Sequence, residues 1–254
     1  MATAQILATG TLEPGYSAPT AGFSGGASSA LLHPADFSLW MVSAQVDAGS
    51  VLTWDADHGD EGLWVITGEL EAEGQRVGAD GAIIVEGATP AEVRVPVDTE
   101  LRHFGPVAIE APDDGPFGPP ATDDHGIHVV AADEAASRRR EGSCITARRF
   151  ADSKCPTCRI ALFTVESDAG YSLASHFHSE DEIIHVLDGE LQVGRTEAPA
   201  GTSIMIPAGV RYGFKSRDPF RFVNFRRDAS YYTQKPGSAP RLEGQPLKTE
   251  NTET

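Results

Sequence analysis

Cysteine, basic residues and long apolar runs are all scarce in this 254-residue chain. Three cysteines, an odd number, do not make the disulfide framework of a small secreted protein. The 20 lysines and arginines against 37 aspartates and glutamates give a net charge of −17, which argues against nucleic acid and anionic membrane surfaces as partners. No segment is apolar over the length of a membrane helix, and the first residues lack the pattern of a secretory signal. We therefore expect a cytoplasmic protein.

Glycine and proline, by contrast, are abundant, with 26 and 17 residues, and they separate short runs of alternating polar and apolar residues. Such runs at short intervals are typical of the strands of a β-sandwich or barrel. Examples lie at 40–46, 82–85, 159–165, 183–187 and 203–206. Only Asp133–Arg140 has the pattern of a short helix. The sequence predicts an all-β protein.

One spacing pattern occurs twice, displaced by 121 residues. The series Gly-x5-Asp-x-Asp-x3-Glu begins at Gly49, and the series Gly-x5-His-x-His-x3-Glu begins at Gly170. A further glycine, Gly68 or Gly189, follows each series at the same distance. The spacing is kept while the polar side chains change, so we predict two copies of one fold.

Composition indicates where the copies are joined. A stretch rich in proline, glycine and aspartate predicts a linker at 111–126, between an N-terminal domain at 1–110 and a C-terminal domain at 127–233. The polar segment 234–254 predicts a mobile tail or a surface arm.

The second copy carries most of the chemistry, in the pattern Gly170-x5-His176-x-His178-x3-Glu182-x6-Gly189. Two histidines two residues apart on a strand face the same side, and a short turn brings in the glutamate from the next strand. Two imidazoles and a carboxylate form a facial triad that leaves metal positions open. These donors suit Fe(II), which we favour, and also Mn(II), Ni(II) or Zn(II). The alternative is a barrel that keeps the pattern without binding metal.

This pattern resembles the first signature of the cupin superfamily, and the repeat resembles its two-domain members, the bicupins, over about residues 38–230. The resemblance implies two antiparallel jelly-roll barrels in one chain, with a degenerate N-terminal barrel and metal inside the C-terminal one. Two barrels in one chain can provide the packing that single-barrel cupins obtain by dimerising, so we expect a monomer or a small homo-oligomer. Cupins include many enzymes, storage proteins and sensors, and the fold alone does not select a function.

The second cupin signature is incomplete. Gly201-x5-Pro207-x-Gly209 matches it, but Tyr212 stands where the family has a histidine and Ser216 where it has an asparagine. The fourth imidazole ligand of the family is therefore missing. We expect Tyr212 to act as a catalytic hydrogen-bond donor or acid/base group, and direct ligation of the metal is the alternative.

The corresponding positions of the first copy are Asp55, Asp57 and Glu61. Three carboxylates brought together would repel one another or hold a hard cation such as Mg²⁺ or Ca²⁺. We favour a vestigial, solvent-open site. In the second copy, strand alternation from Glu182 predicts that His185 faces away from the metal site, and the alternative is a β-bulge that turns it inward as a replacement ligand.

Two weaker signals remain. Cys155-Pro-Thr-Cys158 has the spacing of a redox or zinc motif but precedes a strand, so a structural role is favoured over a regulatory disulfide or partial metal binding. Arg211, Arg221 and Arg226 lie near strands of the second copy, where surface charge is favoured over pairing with an anionic substrate.

The functional hypothesis is a metal-dependent enzyme, with a non-haem Fe(II) dioxygenase acting on a small phenol- or diketone-type substrate as its leading form. Tyr212 would donate a hydrogen bond to the substrate or to oxygen. One alternative uses the metal as a Lewis acid in a lyase, isomerase or hydrolase. The other is a non-catalytic protein that binds or senses a small molecule.

Overall fold

The computed structural model describes residues 3–108, 126–139, 143–152, 155, 157–227, 231–233 and 241–242. Over these ranges the chain consists of strands, turns and bends and contains no α-helix, which confirms the all-β prediction. It follows that no helix of this part of the chain is long and apolar enough to span a membrane.

The strands of the first half and of the segment that follows it are β1 (Gln5–Ala8), β2 (Glu13–Pro14), β3 (Gly22–Ser24), β4 (Ala27–Leu32), β5 (Leu39–Val46), β6 (Val51–Trp54), β7 (Glu61–Thr67), β8 (Glu69–Ala72), β9 (Gln75–Gly78), β10 (Ala82–Val85), β11 (Ala91–Arg94), β12 (Thr99–Pro106) and β13 (Ile127–Val130). Those of the second half are β14 (Ala136–Arg139), β15 (Ile145–Ala151), β16 (Ile160–Ser167), β17 (Tyr171–Ser172), β18 (Phe177–His178), β19 (Glu182–Asp188), β20 (Glu190–Val193), β21 (Thr196–Pro199), β22 (Thr202–Ile206), β23 (Phe214–Ser216), β24 (Phe220–Arg227), β25 (Tyr231–Thr233) and β26 (Arg241–Leu242).

Each half forms a jelly-roll barrel from one large and one smaller antiparallel sheet. The large sheets have seven strands, in the orders β13-β10-β7-β12-β5-β4-β2 and β1-β22-β19-β24-β16-β15-β14. The smaller sheets have the orders β3-β6-β11-β8-β9 and β17-β23-β20-β21. A third small sheet, β18-β25-β26, belongs to the second half.

The strand boundaries confirm the predicted repeat. Strands β5, β7, β8, β9 and β12 begin and end 121 residues before β16, β19, β20, β21 and β24. Backbone conformation repeats as well, because Glu73 and Asp80 have positive φ values of 53° and 63° where their counterparts Gly194 and Gly201 have 62° and 83°. The same turns therefore close the same hairpins in both barrels, even where the glycine has been replaced.

The two large sheets exchange edge strands. Strand β1, from the start of the chain, pairs with β22 of the second barrel, and β13 pairs with β10 of the first. Residues 5–8 and 127–130 thus each extend the sheet of the other half, across the predicted division at 1–110 and 127–233. An edge strand must find a partner for its backbone groups, and each barrel offers the same open edge.

Three apolar cores account for the packing. One fills the first barrel and includes Trp40, Trp54 and Leu63, and another fills the second and includes Ile184 and Phe222. The third lies between the two large sheets, where strand residues that point out of both barrels meet. Phe104 and Phe225, which are equivalent positions of the repeat, stack there with ring centroids 5.3 Å apart. Alternate residues of a strand therefore serve two different cores.

The helix predicted at Asp133–Arg140 is wrong. Its described part is a turn followed by β14, whose residues pair with β15, Ala136 opposite Arg149. The pairing to an open sheet edge outweighs the weak helix preference of the segment. The described part of the linker, Gly126, leads directly into β13, and the described part of the predicted tail, Arg241–Leu242, is a strand paired with β25.

Candidate functional site

The predicted metal-binding residues lie at one end of the second barrel. His176 and Tyr212 form an antiparallel bridge in which each backbone N–H donates to the other residue's carbonyl at 2.9 Å. His178 follows on β18, and its carbonyl accepts from the Gly209 amide at 2.8 Å. Glu182 opens β19 after the intervening turn. The backbone of β25 pairs antiparallel with β18, alongside His178.

The structure buries His176, His178 and Glu182 at the same end of the barrel, but their ligand atoms do not all lie within 4.8 Å of one another. Their exposed fractions are 2%, 5% and 1%. The two imidazole rings lie edge to face, with centroids 4.9 Å apart, and His178 Nε2 is 3.8 Å from Glu182 Oε2. All three side chains thus point into the barrel, as strand alternation predicts, and their binding of a metal stays a prediction.

Glu182 already has partners for both carboxylate oxygens. The Tyr212 hydroxyl donates to Oε2 at 2.5 Å, and the Asn224 amide donates to Oε1. The Arg226 guanidinium forms an ion pair with Oε1, with an Nε to Oε1 distance of 3.1 Å. A buried carboxylate is stable only when its charge is compensated in this way.

The neighbours of the two histidines select their tautomers. His176 Nδ1 lies 2.9 Å from the Ala174 carbonyl, so it carries the proton and leaves a lone pair on Nε2. Arg226 Nη1 donates to His178 Nδ1 at 3.0 Å, which places the proton of a neutral ring on Nε2. His176 thus has an unprotonated Nε2, whereas Arg226 holds His178 in the opposite tautomer.

Sequence reasoning missed Asn224 and undervalued Arg226, which is 3% exposed rather than a surface charge. Both lie on β24, on the face that alternates with Val223 and Phe225 of the intersheet core. Strand alternation from Phe222 would have found them. The signal was obscured because each face of β24 carries two apolar and two polar residues, so the sequence does not show which face enters the barrel.

The other two arginines have surface roles. Arg221 forms ion pairs with Asp80 and Asp188 at 2.6 and 3.0 Å. The guanidinium of Arg211 stacks on the Phe177 ring, 5.1 Å from its centroid.

In the first barrel the three predicted carboxylates do not meet. Asp55 and Asp57 are exposed, and Asp55 Oδ1 accepts from the Asp57 amide at 2.8 Å in a local turn. Only Glu61 enters the barrel, where it is fully buried. A solvent-open cluster of three carboxylates is therefore wrong. Unpaired carboxylates gain hydration by turning outward, and the apolar core of this barrel leaves them no partner inside.

Glu61 is instead the centre of a buried hydrogen-bond network. His103 Nε2 and Trp54 Nε1 lie 2.7 and 2.8 Å from its Oε2, and Tyr16 hydrogen-bonds to His103 Nδ1 at 2.9 Å. Burial by itself would raise the pKa of Glu61, but the hydrogen bond and charge of His103 outweigh it and hold the pKa below its usual value. Burial, with Glu61 nearby, raises the pKa of Tyr16 well above its usual value.

His185 lies outside the candidate site, on the opposite face of β19 from Ile184 and Glu182. Arg102 of the first barrel donates to its Nε2 at 3.0 Å, and its Nδ1 lies 2.9 Å from the Ser203 hydroxyl. Burial, together with the positive charge of Arg102, lowers the pKa of His185 to about 3. His185 is a neutral residue of the interface between the sheets.

A second cluster lies where the two barrels meet. Among the described residues, Glu86, His128 and Cys155 form the one group of three such side chains whose donor atoms all lie within 4.8 Å of one another. The hydrogen bond from the Cys158 thiol is the main cause that lowers the pKa of Cys155 to about 2, and Cys155 and Glu86 raise the pKa of His128 to about 10. The Cys-x-x-Cys motif therefore belongs to a polar cluster whose other members, Glu86 and His128, lie in distant parts of the sequence.

Comparison with known proteins identifies the fold. No protein-family model and no curated protein matches the chain. Solved structures do match, among them a Pseudomonas aeruginosa protein classed as glyoxylate-induced, with a TM-score of 0.67 and 13% identity over 89% of this chain and 90% of that one. A cupin 2 conserved barrel protein from Leptotrichia buccalis also matches, with a TM-score of 0.52 and 14% identity over 84% of this chain and 92% of that one. The fold is that of the cupins.

Two further matches have names that mention chemistry. A Nostoc punctiforme protein classed as a dioxygenase has a TM-score of 0.64 and 12% identity, over 89% of this chain and 83% of that one. Oxalate decarboxylase from Bacillus subtilis, whose Mn(II) centres have been characterised, has a TM-score of 0.64 and 11% identity, over 96% of this chain and 80% of that one. At these identities the likeness establishes the cupin architecture.

Proposed function

We propose that the chain is a metal-dependent enzyme whose reaction takes place in the second barrel, at His176, His178 and Glu182. The observation that carries this proposal is the burial of two imidazoles and one carboxylate together inside a barrel, beside a phenol and a guanidinium. Ionisable side chains that are buried together inside a barrel are characteristic of functional sites.

The donor types fit a divalent ion, with two conditions: the ligand atoms, which do not all lie within 4.8 Å of one another, must move closer together, and the tautomer of His178 must change. His176 presents Nε2 because its Nδ1 is fixed by the Ala174 carbonyl, an arrangement that also orients histidine ligands in metal proteins. Coordination by His178 Nε2 requires the proton to move to Nδ1, where it would face the Arg226 donor. Arg226 must therefore withdraw from His178 when a metal binds. A bound ion would then be the positive neighbour of Glu182 in place of the guanidinium.

Iron is the favoured metal, and a dioxygenase acting on a small phenol or diketone is the favoured reaction. Fe(II) in a site of two histidines and one carboxylate supplies open positions for an oxygenated substrate and for dioxygen. The likeness to a protein classed as a dioxygenase supports this form, and the Mn(II) of the decarboxylase supports a divalent ion in general. Mn(II), Ni(II) and Zn(II) suit the same donors.

The neighbouring side chains would bind and orient the substrate. Arg226, once released from His178, would pair with an enolate, phenolate or carboxylate oxygen. The Tyr212 hydroxyl oxygen lies 2.5 Å from Glu182 Oε2, and from this position the hydroxyl can donate to a substrate oxygen that enters the site. The surrounding core of Ile184, Ile206 and Phe222 would exclude water.

A non-oxidative reaction is the second candidate, and the Tyr212–Glu182 contact favours it. A phenol and a carboxylate at 2.5 Å form a pair that can pass a proton between them, as a lyase, isomerase or hydrolase requires. In that case Tyr212→Phe would remove turnover while leaving metal binding intact, and turnover would continue without oxygen.

Elemental analysis of protein purified without oxygen, followed by oxygen-uptake assays with catechols and diketones, tests the proposal. We expect bound iron and substrate-dependent oxygen uptake in the wild type, and loss of both in His176→Ala. Asp55→Ala is the matched control, because Asp55 is the exposed equivalent of His176 in the first barrel. Full iron content in His176→Ala would reject the site. A barrel that binds no metal and turns over none of these compounds would indicate a binding or sensing protein.

A further inference from the structure

Glu86, which none of the chemistry above uses, is a fully buried carboxylate at the end of the first barrel's β10. Its Oε1 is approached by three side chains: His128 Nε2 at 2.7 Å, Thr157 Oγ1 at 2.5 Å and Cys155 Sγ at 3.4 Å. Its Oε2 accepts from the Gly126 amide at 2.8 Å. Three ligand types that bind transition metals, a carboxylate, an imidazole and a thiol, therefore converge on one point.

These side chains come from separate parts of the fold. Glu86 follows β10, His128 lies on β13 opposite Ile84 of β10, and Cys155 lies in the loop that leads to β16 of the second barrel. Next to Cys158, the Arg159 amide donates to Asp60 of the first barrel. The cluster thus forms only when the two barrels are docked.

Cys158 supplies a further sulfur beside the cluster. The Cys158 amide donates to Cys155 Sγ at 3.1 Å, and the Cys158 side chain is 4% exposed. Two cysteines separated by two residues have the spacing of paired zinc ligands. The third cysteine, Cys144, lies elsewhere, with its thiol 3.9 Å from the Gly170 carbonyl.

We propose that Glu86, His128 and Cys155, with Cys158 as the fourth ligand, bind a zinc ion that joins the two barrels. A thiolate-rich set with one imidazole and one carboxylate selects zinc over the hard cations Mg²⁺ and Ca²⁺. The divalent charge would offset part of the negative charge of Glu86 and of the two cysteine thiolates, with the Cys158 thiol releasing its proton when zinc binds. Thr157 and the Gly126 amide hold the carboxylate in position, as outer partners of metal ligands do.

The zinc ion could also reach this site from solvent, and its binding would stabilise the contact between the barrels. The His128 side chain is 44% exposed, so an ion can enter from solvent without unfolding the interface. A closed set of four protein ligands leaves no position for substrate, which indicates a structural role. Since the ligands lie far apart in the sequence, the ion would stabilise the docked arrangement of the barrels.

Cobalt substitution and zinc analysis of the full chain, prepared under reducing conditions, test this proposal. We expect the cobalt form to show thiolate-to-metal charge-transfer absorption, and Cys155→Ser to lose both this band and one zinc per chain. Cys144→Ser is the matched cysteine control and should keep them. His176→Ala should also keep them while losing iron, so that this proposal and the proposed enzymatic site succeed or fail separately.

His128→Ala provides a second test should Cys155→Ser fail to fold, because the His128 side chain is partly exposed. It should weaken zinc binding about 10- to 100-fold or more, while a chelator should lower the melting temperature of the wild type much more than that of the variant. Zinc content and cobalt spectrum unchanged in both variants would overturn the proposal. A Cys155–Cys158 disulfide in the zinc-treated, reduced wild type would overturn it as well.

Discussion

The two barrels share a backbone but fill their interiors in opposite ways. Gly105 and Trp40 are cross-strand neighbours in the first barrel, and their counterparts in the second, Arg226 and Ala161, are cross-strand neighbours too. In the first barrel the large side chain comes from β5 and is an apolar tryptophan. In the second it comes from β24 and is a cation.

This difference changes the surroundings of the equivalent glutamates, Glu61 at the start of β7 and Glu182 at the start of β19. Glu61 is enclosed by His103, Trp54 and Tyr16, which leave a sealed polar network in an apolar barrel. Glu182 faces Arg226 and the two histidines that replace the outward-turned aspartates of the first barrel. The interior of the first barrel is therefore mostly apolar packing, whereas the interior of the second barrel keeps several ionisable side chains. The conserved spacing therefore accounts for the common fold, whereas the cross-strand neighbours of the glutamate decide whether the barrel interior is polar or apolar.

The largest effect is expected where the second barrel depends on its cation. Arg226→Met leaves the buried carboxylate of Glu182 without its positive neighbour, so the free energy of unfolding should fall by about 3–5 kcal/mol in metal-free protein. Urea denaturation measures this loss. Added Mn(II) should restore part of it, because the ion would supply the missing charge at Glu182. Arg94→Met, which breaks an exposed pair with Glu92, is the control and should change stability by no more than about 1 kcal/mol. A similar small loss in Arg226→Met would contradict the role given to this ion pair.

An intermediate effect is expected where the first barrel depends on its tryptophan. A Cβ atom at Gly105 would lie 2.2 Å from Trp40 Cζ2, so Gly105→Ala must displace the buried indole. We expect a loss of about 1–3 kcal/mol, measured by thermal or urea unfolding. Gly78→Ala, whose Cβ would meet nothing closer than 3.8 Å, should cost about 0.5 kcal/mol or less and serves as the control. Equal stability of the two variants would show that Trp40 does not fill this space.

The smallest effect compares another equivalent pair, Trp64 and His185, which both lie in the interface between the sheets. Because the folded-state pKa of His185 is about 3, below the ordinary 6.5, the unfolded chain takes up this proton first as pH falls. The contribution of neutral His185 to the free energy of unfolding is therefore complete above about pH 6.5 and is lost progressively toward pH 3. About 2 kcal/mol of it should be lost by pH 5.

His185→Gln cannot take up this proton. Its free energy of unfolding should therefore vary less between pH 7 and pH 5 than that of the wild type, in urea titrations at several pH values. Since Arg102 and Ser203 remain in both proteins, the difference isolates the imidazole. Parallel pH profiles would contradict a neutral, buried His185.

The candidate site was predictable as far as local spacing reaches. His176 and His178 were found because alternate strand residues share a face, and the 121-residue repeat predicted equal strands in both halves. The same spacing wrongly predicted that Asp55 and Asp57 enter the first barrel. They lie in an exposed turn instead, because hydration stabilises their carboxylates there. The helix predicted at Asp133–Arg140 failed because an open sheet edge, invisible in the local sequence, captured the segment.

The sequence by itself determined the β-architecture, the duplication and the histidine pair, because all three follow from periodicities within a few residues or from one long repeat. Only the tertiary structure decided that Arg226 neutralises Glu182, that His185 faces Arg102, and that Glu86 and His128 meet Cys155. These contacts join residues tens of positions apart. Their partners are selected by sheet order and by the docking of one barrel on the other, which no local pattern records.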